Sequence, residues 1–562
     1  MTQPFAVNVL TTLSLFAAIA TLQLLPVAPL SQIPAGTETT PTVPFFNLWT
    51  LGHNGDAVLG ERSYWNARFF HPEAGAFALS ESQPHLMLLA PVARLISPVF
   101  AYNLWVYTSL VVNGLSGYLF ARRNLQADFL PALACGVLLQ LLPFVNLQLG
   151  VLQLIAVWPS VLLLHCTFQL TCNPTMPKAV ATGLALATTY LLCNNYGLMG
   201  AIVVGTVPGT VLFIRHRPSC SLRTSLVTLI VFLTVVGPVV YQQWKILHAG
   251  GYDRNSETVA SLSAQPKDLL VSSWHSGLTI PGLTSSRERP LWGLSGGLGV
   301  YILAVLGTLA GWHNRPLRKW TVTLLGILLI SFLLATIPGY GDWGAAIHAG
   351  LCCFLPGLSR IRSVYRFLAF FQIAAVFLST VFLVQCQRRW RAMTTSSSRP
   401  AANVMAVGVV ISFLSCLVEI LPDKTYVCTP QWQTDQPFCE WIRNQTASHD
   451  VLACFPFPNG SETSDYRHEV DWMHAARFHH RPILNGYSGF FPTHYLNLKE
   501  IARLPPGREL YETLHKLQVR YLVVHEDWYA AWHGSMPQMS NNPAMTEVFF
   551  DPQNHVRIYR LL

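Results

Sequence analysis

The chain has 562 residues, 51% of them hydrophobic and only 11% charged, with a mean hydropathy of +0.36. An ordinary soluble domain carries about 25% charged residues, and a soluble chain of this length needs several cores, each wrapped in a charged surface; the composition excludes a soluble enzyme. The net charge of +9 does not indicate nucleic-acid binding, because residues 1–422 carry 24 Lys and Arg against 12 Asp and Glu while residues 423–562 carry 12 against 15, and the basic residues sit in short clusters between apolar runs rather than in one patch.

Apolar runs of roughly 17–25 residues can cross a hydrocarbon core about 30 Å thick. Eleven are read, at 6–30, 100–121, 128–147, 150–168, 178–194, 196–214, 223–242, 295–312, 319–338, 364–386 and 403–421. The first lacks a basic n-region and is long, so it reads as a retained signal anchor. The segment 84–98 is apolar but short and bounded by prolines, as an interfacial helix would be. Basic clusters at Arg122–Arg123, Lys178, Arg215/Arg217/Arg223, Arg315/Arg318/Lys319 and Arg388/Arg389/Arg391/Arg399 all fall on one side when eleven spans alternate from a cytoplasmic N-terminus. Asp128 is the one acidic residue on that side, as the positive-inside rule predicts. The expected architecture is a mainly α, polytopic transmembrane bundle over 1–422 in the cell (inner) membrane, with outer loops 31–99 and 243–294, followed by an extracytoplasmic α/β domain over 423–562.

In that last domain VLACFPF (451–457), VRYLVVH (519–525) and HVRIYRL (555–561) read as buried strands, and 493–517 as helix with a break at Pro505–Pro506–Gly507. It holds ten of the nineteen His. His479–His480 are adjacent and cannot share one helix face, and no HExxH or HxH motif occurs, so scattered core or surface histidines are expected and no metal ligand is assigned. One disulfide is open among Cys428, Cys439 and Cys454, most simply Cys428–Cys439.

The first outer loop, FNLWTLGHNGDAVLGERSYWNARFFHPEAGAFALSESQPHLM (46–87), is the most informative stretch. HNGD reads as a turn, with Asp56 as N-cap of an amphipathic helix over 57–70 that lies in the membrane interface. Asp56 then reads either as a cap alone or as a carboxylate placed to take a proton from a sugar hydroxyl. In LPGLSRIRSVYRFLAFF (355–371), Arg360, Arg362 and Arg366 stand at the outer end of a span, against the inside bias. Arg362 and Arg366 would share a helix face and suit phosphate oxygens; pairing with lipid headgroups or an outer acid is the plainer account. Gln140, Asn146, Gln148, Gln153, Tyr190, Asn194 and Asn195, in or at the ends of spans, read as helix-packing hydrogen bonds or as cavity lining. The loop 243–294, with Trp274 and His275, could cover a cavity. No Walker loop, GxGxxG or GxSxG occurs, which leaves ATP-driven transport and serine hydrolysis without support.

The elements GDAVL (55–59), HPEAGAFALSE (71–81), AYNLWVYTSLVVNGLSGYLFARR (101–123), LPFVNLQLGVLQL (142–154), SRIRSVYRF (359–367), ILNGYSGFFP (483–492) and VRYLVVHED (519–527) resemble those of integral-membrane glycosyltransferases of the GT-C fold and the uncharacterised bacterial membrane proteins related to them. The resemblance implies transfer of a sugar from a polyprenyl-phosphate donor to a glycan, lipid or protein acceptor, with inversion. It implies Asp56 as base, Arg360, Arg362 and Arg366 on the lipid phosphate, and His53, Glu61, Arg62, Trp274, His275 and Tyr487 about the substrate cavity. In many family members paired acids bind a divalent cation; this loop has NGDAVLGE instead, and Glu61 is not an obvious second ligand. The alternative reading is a non-enzymatic transporter of lipid-linked glycan, or an envelope-glycan assembly or binding protein.

Overall fold

The computed structural model describes residues 5–36, 40–252, 254–270, 294–355, 357–394, 399–421, 426–430, 436–503, 507–533 and 544–562. All eleven expected spans are helical, and among the described residues seven helices are long and apolar enough to cross a membrane: Pro98–Asn124, Phe129–Leu147, Asn194–Arg215, Pro218–Ala249, Arg315–Gly339, Val364–Thr394 and Pro400–Ile420. The first span (Phe5–Gln23) and Leu298–His313 are shorter apolar helices, and the spans expected at 150–168 and 178–194 form helices Trp158–Cys172 and Met176–Leu192. The chain is a multi-pass membrane protein; the count of eleven exceeds the seven full-length spans.

The helix Leu368–Thr394 is the axis of the bundle, buried at every position from Leu368 to Val381. Close approach of its neighbour depends on Gly307, where a Cβ would lie 1.9 Å from the Leu378 carbonyl oxygen; small residues let membrane helices meet in this way. Helices Pro218–Ala249 and Arg399–Ile420 instead expose apolar side chains such as Ile230, Leu233, Val404 and Ile411, the composition of a surface whose solvent is lipid. Among the polar residues of the spans, Gln140 donates to Phe16 O (2.8 Å) and Asn146 accepts from Gln23 Nε2 (3.0 Å), so these two serve helix packing.

The C-terminal domain, named external below after its expected orientation, holds a four-stranded sheet of β3 (Val451–Phe455), β4 (Val519–His525), β5 (Met545–Asp551) and β6 (Val556–Leu561), in the order β3-β4-β6-β5. Strands β3 and β4 are parallel; β6 runs antiparallel to β4 and β5. The three expected strands are β3, β4 and β6. The fourth, β5, is charged and partly exposed along an edge, which hides its period. A smaller sheet pairs β1 (Ile33–Gly36) with β2 (Tyr426–Cys428) and ties the first outer loop to the start of the external domain. Helices Thr493–Ala502 and Arg508–Lys516 flank the expected break. Cys439 and Cys454 are buried thiols not joined to each other.

The external sheet continues into the first outer loop. Residues 482–484 pair with Leu452 of β3 (Leu452 N–H to Pro482 O 3.0 Å, Leu484 N–H to Leu452 O 2.9 Å), and loop residues add the next rung: Ile483 N–H to Arg68 O (2.8 Å), Phe70 N–H to Asn485 O (3.1 Å) and His71 N–H to Ile483 O (3.0 Å). This corrects the expectation for 57–70. The helix there is Thr42–Val58, and it ends where a start was expected. Gly60, at φ +74°, closes it with Gly60 N–H to Ala57 O (3.1 Å) and Glu61 N–H to Asp56 O (3.0 Å), a Schellman motif. Phe69 and Phe70 are buried against the external domain at Gly486 rather than in lipid.

Candidate functional site

Two charged clusters organise the outer end of the bundle. The first surrounds Asp56. Helix Thr42–Val58 is buried at nearly every position, because membrane helices lie beneath it and the external helix Arg467–His479 lies over it. Trp49 Nε1 donates to Met473 O (3.0 Å), and His474 Nε2 donates to Phe45 O (3.0 Å). Gly52 opens the path for Arg477: a Cβ there would sit 2.0 Å from its guanidinium. Arg477 Nε and Nη2 each donate to Asp56 at 3.0 Å, and Arg62 Nε lies 3.3 Å from the same carboxylate. Burial pushes the Asp56 carboxyl up, but Arg477 and then Arg62 outweigh it and hold it below the usual carboxylate range.

Asp56 is therefore neither an N-cap nor an open carboxylate. Its oxygens are occupied by two guanidiniums that join the first loop to the external domain. His53 is buried between Trp49 (centroids 4.9 Å) and Phe77 (4.5 Å), with Nε2 donating to Tyr64 O (2.9 Å). Burial, against the pull of that hydrogen bond, lowers it to about 4, and the ring is neutral. Glu61 pairs with Arg94 at the surface (3.1 Å). Tyr487 packs edge-on against Phe46 (5.3 Å), within a turn where Asn485 bonds Cys454 N–H and O and Glu469 accepts from Asn485 and Gly486. NGYSGF is thus a buried turn. Trp274 and His275 lie outside the described residues.

The second cluster contains the three expected arginines, joined by Arg254. Residues 358–360 and 364–367 form separate 3-10 turns, so Arg362 and Arg366 share no α-helical face. The fold still gathers them: the groups that most repel Arg254 are Arg362, Arg366 and Arg360, in that order, and burial followed by this repulsion brings Arg254 down to about 9. Arg360 donates to Tyr252 O. Phe490 of the external domain lies 3.5 Å beneath the Arg254 guanidinium. Arg254 Nε and Arg366 Nε are buried donors with no hydrogen-bond partner among the described residues, and an unpaired buried donor costs about 1–3 kcal/mol.

The carboxylate beside Arg366 is Glu81, which the sequence reading missed. It accepts from the Asn194 N–H (3.1 Å) and from Asn195 Nδ2 at the start of helix Asn194–Arg215, where the helix dipole favours an anion. Burial raises the Glu81 carboxyl above its ordinary range, with Arg366 the main opposing influence. Its loop is pinned on both sides. Gln243 Nε2 donates to Ser80 O (3.3 Å), Asn54 Nδ2 to Ser82 O (3.0 Å) and Gln83 Nε2 to Asn47 Oδ1 (3.0 Å). Gln243 also accepts from Tyr190 (3.0 Å) and Asn194 (2.9 Å), so Tyr190, Asn194 and Asn195 belong to the site and not to helix packing alone. A signal was present: Glu81 ends the run HPEAGAFALSE, one of few acidic residues between the first two spans. Asp56, next to a glycine-rich turn signal, drew the assignment instead.

No family model and no curated protein matches this sequence. Among solved structures, the arabinofuranosyltransferase AftD from Mycobacteria aligns over 98% of this chain and 40% of its own, at 14% identity and a TM-score of 0.57; a mutant form of AftD aligns at 0.58 over 98% and 41%. ArnT from Cupriavidus metallidurans aligns at 12% identity over 97% of both chains, with a TM-score of 0.39. The chain spans about two fifths of the length of AftD. At this level of identity the likeness concerns architecture, and it agrees with the helical bundle and external domain described above: the chain has the GT-C fold.

Proposed function

We propose that this chain is a membrane glycosyltransferase that moves a sugar from a polyprenyl-phosphate donor to an acceptor outside the cytoplasmic membrane, with its N-terminus in the cytoplasm. The observation that carries the reading is the grouping of Arg360, Arg362 and Arg366 about Arg254, with Glu81 beside Arg366 and with Arg254 Nε and Arg366 Nε lacking a hydrogen-bond partner among the described residues. Four like charges repel one another, and an anion between them relieves that repulsion and supplies the missing acceptors. A lipid phosphate at the outer end of a membrane bundle has the right charge and depth. AftD, named as an arabinofuranosyltransferase, makes glycosyl transfer the first reaction class to test.

In this reading Glu81 accepts the proton of the acceptor hydroxyl as its oxygen attacks the anomeric carbon from the face opposite the phosphate. The bond from that carbon to the phosphate oxygen breaks, the electron pair leaves with the polyprenyl phosphate, and the configuration inverts. The arginines stabilise the charge that grows on the leaving oxygen. A carboxyl raised toward neutrality is a better base than one held low, which favours Glu81 over Asp56. Asp56 holds the external domain in place. No residue is assigned to a divalent cation.

The test is binding of undecaprenyl phosphate to the purified chain in nanodiscs. Arg254→Gln and Arg366→Gln should each weaken it at least tenfold, whereas Arg508→Gln, on a distant exposed helix, should not. Equal binding in all three variants overturns the assignment.

A further inference from the structure

The seam between the first outer loop and the external domain frames an open pocket of about 230 Å³, lined by Asn66, Arg68, His71, Pro72, Glu73 and Ala74 of the loop and by Pro482 of the external domain. Its walls are fixed by backbone bonds: Ile483 N–H to Arg68 O (2.8 Å), His71 N–H to Ile483 O (3.0 Å) and Glu73 N–H to Phe70 O (2.7 Å). The side chains of Arg68, His71 and Glu73 make no hydrogen bond or ion pair among the described residues. Asn66 spends its Oδ1 on the Gly75 N–H (2.9 Å) and keeps its two donors. Such a set of uncommitted donors and acceptors on a rigid frame is pre-organised for a ligand.

Size and charge narrow the ligand. At ~30 Å³ per water the volume holds about eight waters, below the roughly 300–1,000 Å³ of sites for drug-sized ligands and suited to one monosaccharide. Glu73 accepts, Arg68 donates, and His71, lowered by burial and by His494, is a neutral ring offering one of each. That mixture matches hydroxyls, which both give and take hydrogen bonds. A phosphate would meet the Glu73 carboxylate. Glu73 lies within electrostatic reach of Tyr252, whose carbonyl accepts from Arg360.

We propose that this seam cavity binds one neutral sugar residue of the acceptor glycan, with Glu73 and Arg68 taking its hydroxyls. The word acceptor rests on the transferase reading; the binding itself does not. The experiment is saturation-transfer NMR on the full chain in nanodiscs without donor, using a panel of methyl pentofuranosides and methyl hexopyranosides, with methyl phosphate as the anionic comparison. At least one neutral glycoside should receive saturation. Glu73→Ala should weaken that signal at least tenfold, and so should Ala74→Trp, which fills the cavity and removes no polar group. Arg508→Gln, at an exposed position away from the seam, should leave it unchanged. Absence of any glycoside signal from the wild type, survival of the signal in both cavity variants, or its displacement by methyl phosphate overturns the proposal. The readout needs no turnover, so failure of the transferase reading and failure of the cavity are separate results.

Discussion

Replacing Asp56 with Asn separates a clamp from a base. The carboxylate is bound by Arg477 through two 3.0 Å bonds and approached by Arg62 at 3.3 Å, with side-chain exposures of 13%, 16% and 6% for Asp56, Arg477 and Arg62. Removing one partner of a fully buried pair costs about 3–5 kcal/mol, and an exposed pair contributes at most about 1. For this partly shielded triad, in which Asn keeps one acceptor, we expect about 2–3 kcal/mol in docking of the external domain. That is roughly 30- to 150-fold more of the undocked state, read as faster amide exchange in peptides covering 68–71 and 483–490. The pH dependence has a definite sign. The folded carboxyl is lowered, so its contribution is fully present above the unfolded value of about 3.9 and is lost as pH falls through the folded one. If Asp56→Asn exchanges like the wild type yet loses transfer activity, Asp56 acts in the chemistry and the clamp account is wrong.

Four further outcomes follow from the same structure. Gly52→Ala should reproduce the exchange phenotype of Asp56→Asn, because its Cβ occupies the space of the Arg477 guanidinium; wild-type exchange would contradict this. Burial raises Glu469 to about 8 against its bonds from Asn485 and Gly486, so the external domain should lose stability as pH rises from the unfolded value of about 4.3 toward 8, by at most about 1.4 kcal/mol per pH unit. Glu469→Gln should flatten that slope in thermal melts. Phe490→Leu removes a cation–π contact from Arg254, worth about 0.5–2 kcal/mol, and should raise the donor KM between twofold and thirtyfold with kcat little changed. Non-reducing peptide mapping should recover Cys439 and Cys454 as free thiols.

The membrane helices were legible because burial in lipid demands long apolar runs, and each expected span is helical. The strands β3, β4 and β6 were legible for a related reason, since each is a compact β-branched and aromatic run. The first outer loop misled because its helix is enclosed on all sides. Gly52 and Gly55 sit mid-helix there, one admitting Arg477 and the other lying against Ala90. Asn54 bonds both Thr50 O and Ser82 O. Local propensity reads His53–Asn54–Gly55 as a turn, and tertiary contacts override it. The arginines were found from a charge that opposed the topology, but their grouping with Arg254 and Glu81 joins three distant segments, which spacing along a chain cannot reveal.

The chemistry we propose has Glu81 take the acceptor proton beside a phosphate held by arginines. Its most direct test is single-turnover transfer from a polyprenyl-phosphate sugar by Glu81→Gln, with binding of undecaprenyl phosphate measured in parallel. Loss of a positioned base costs about 10²- to 10⁴-fold in rate, so we predict a fall of at least 100-fold with lipid binding retained. Transfer at the wild-type rate in Glu81→Gln would contradict the account.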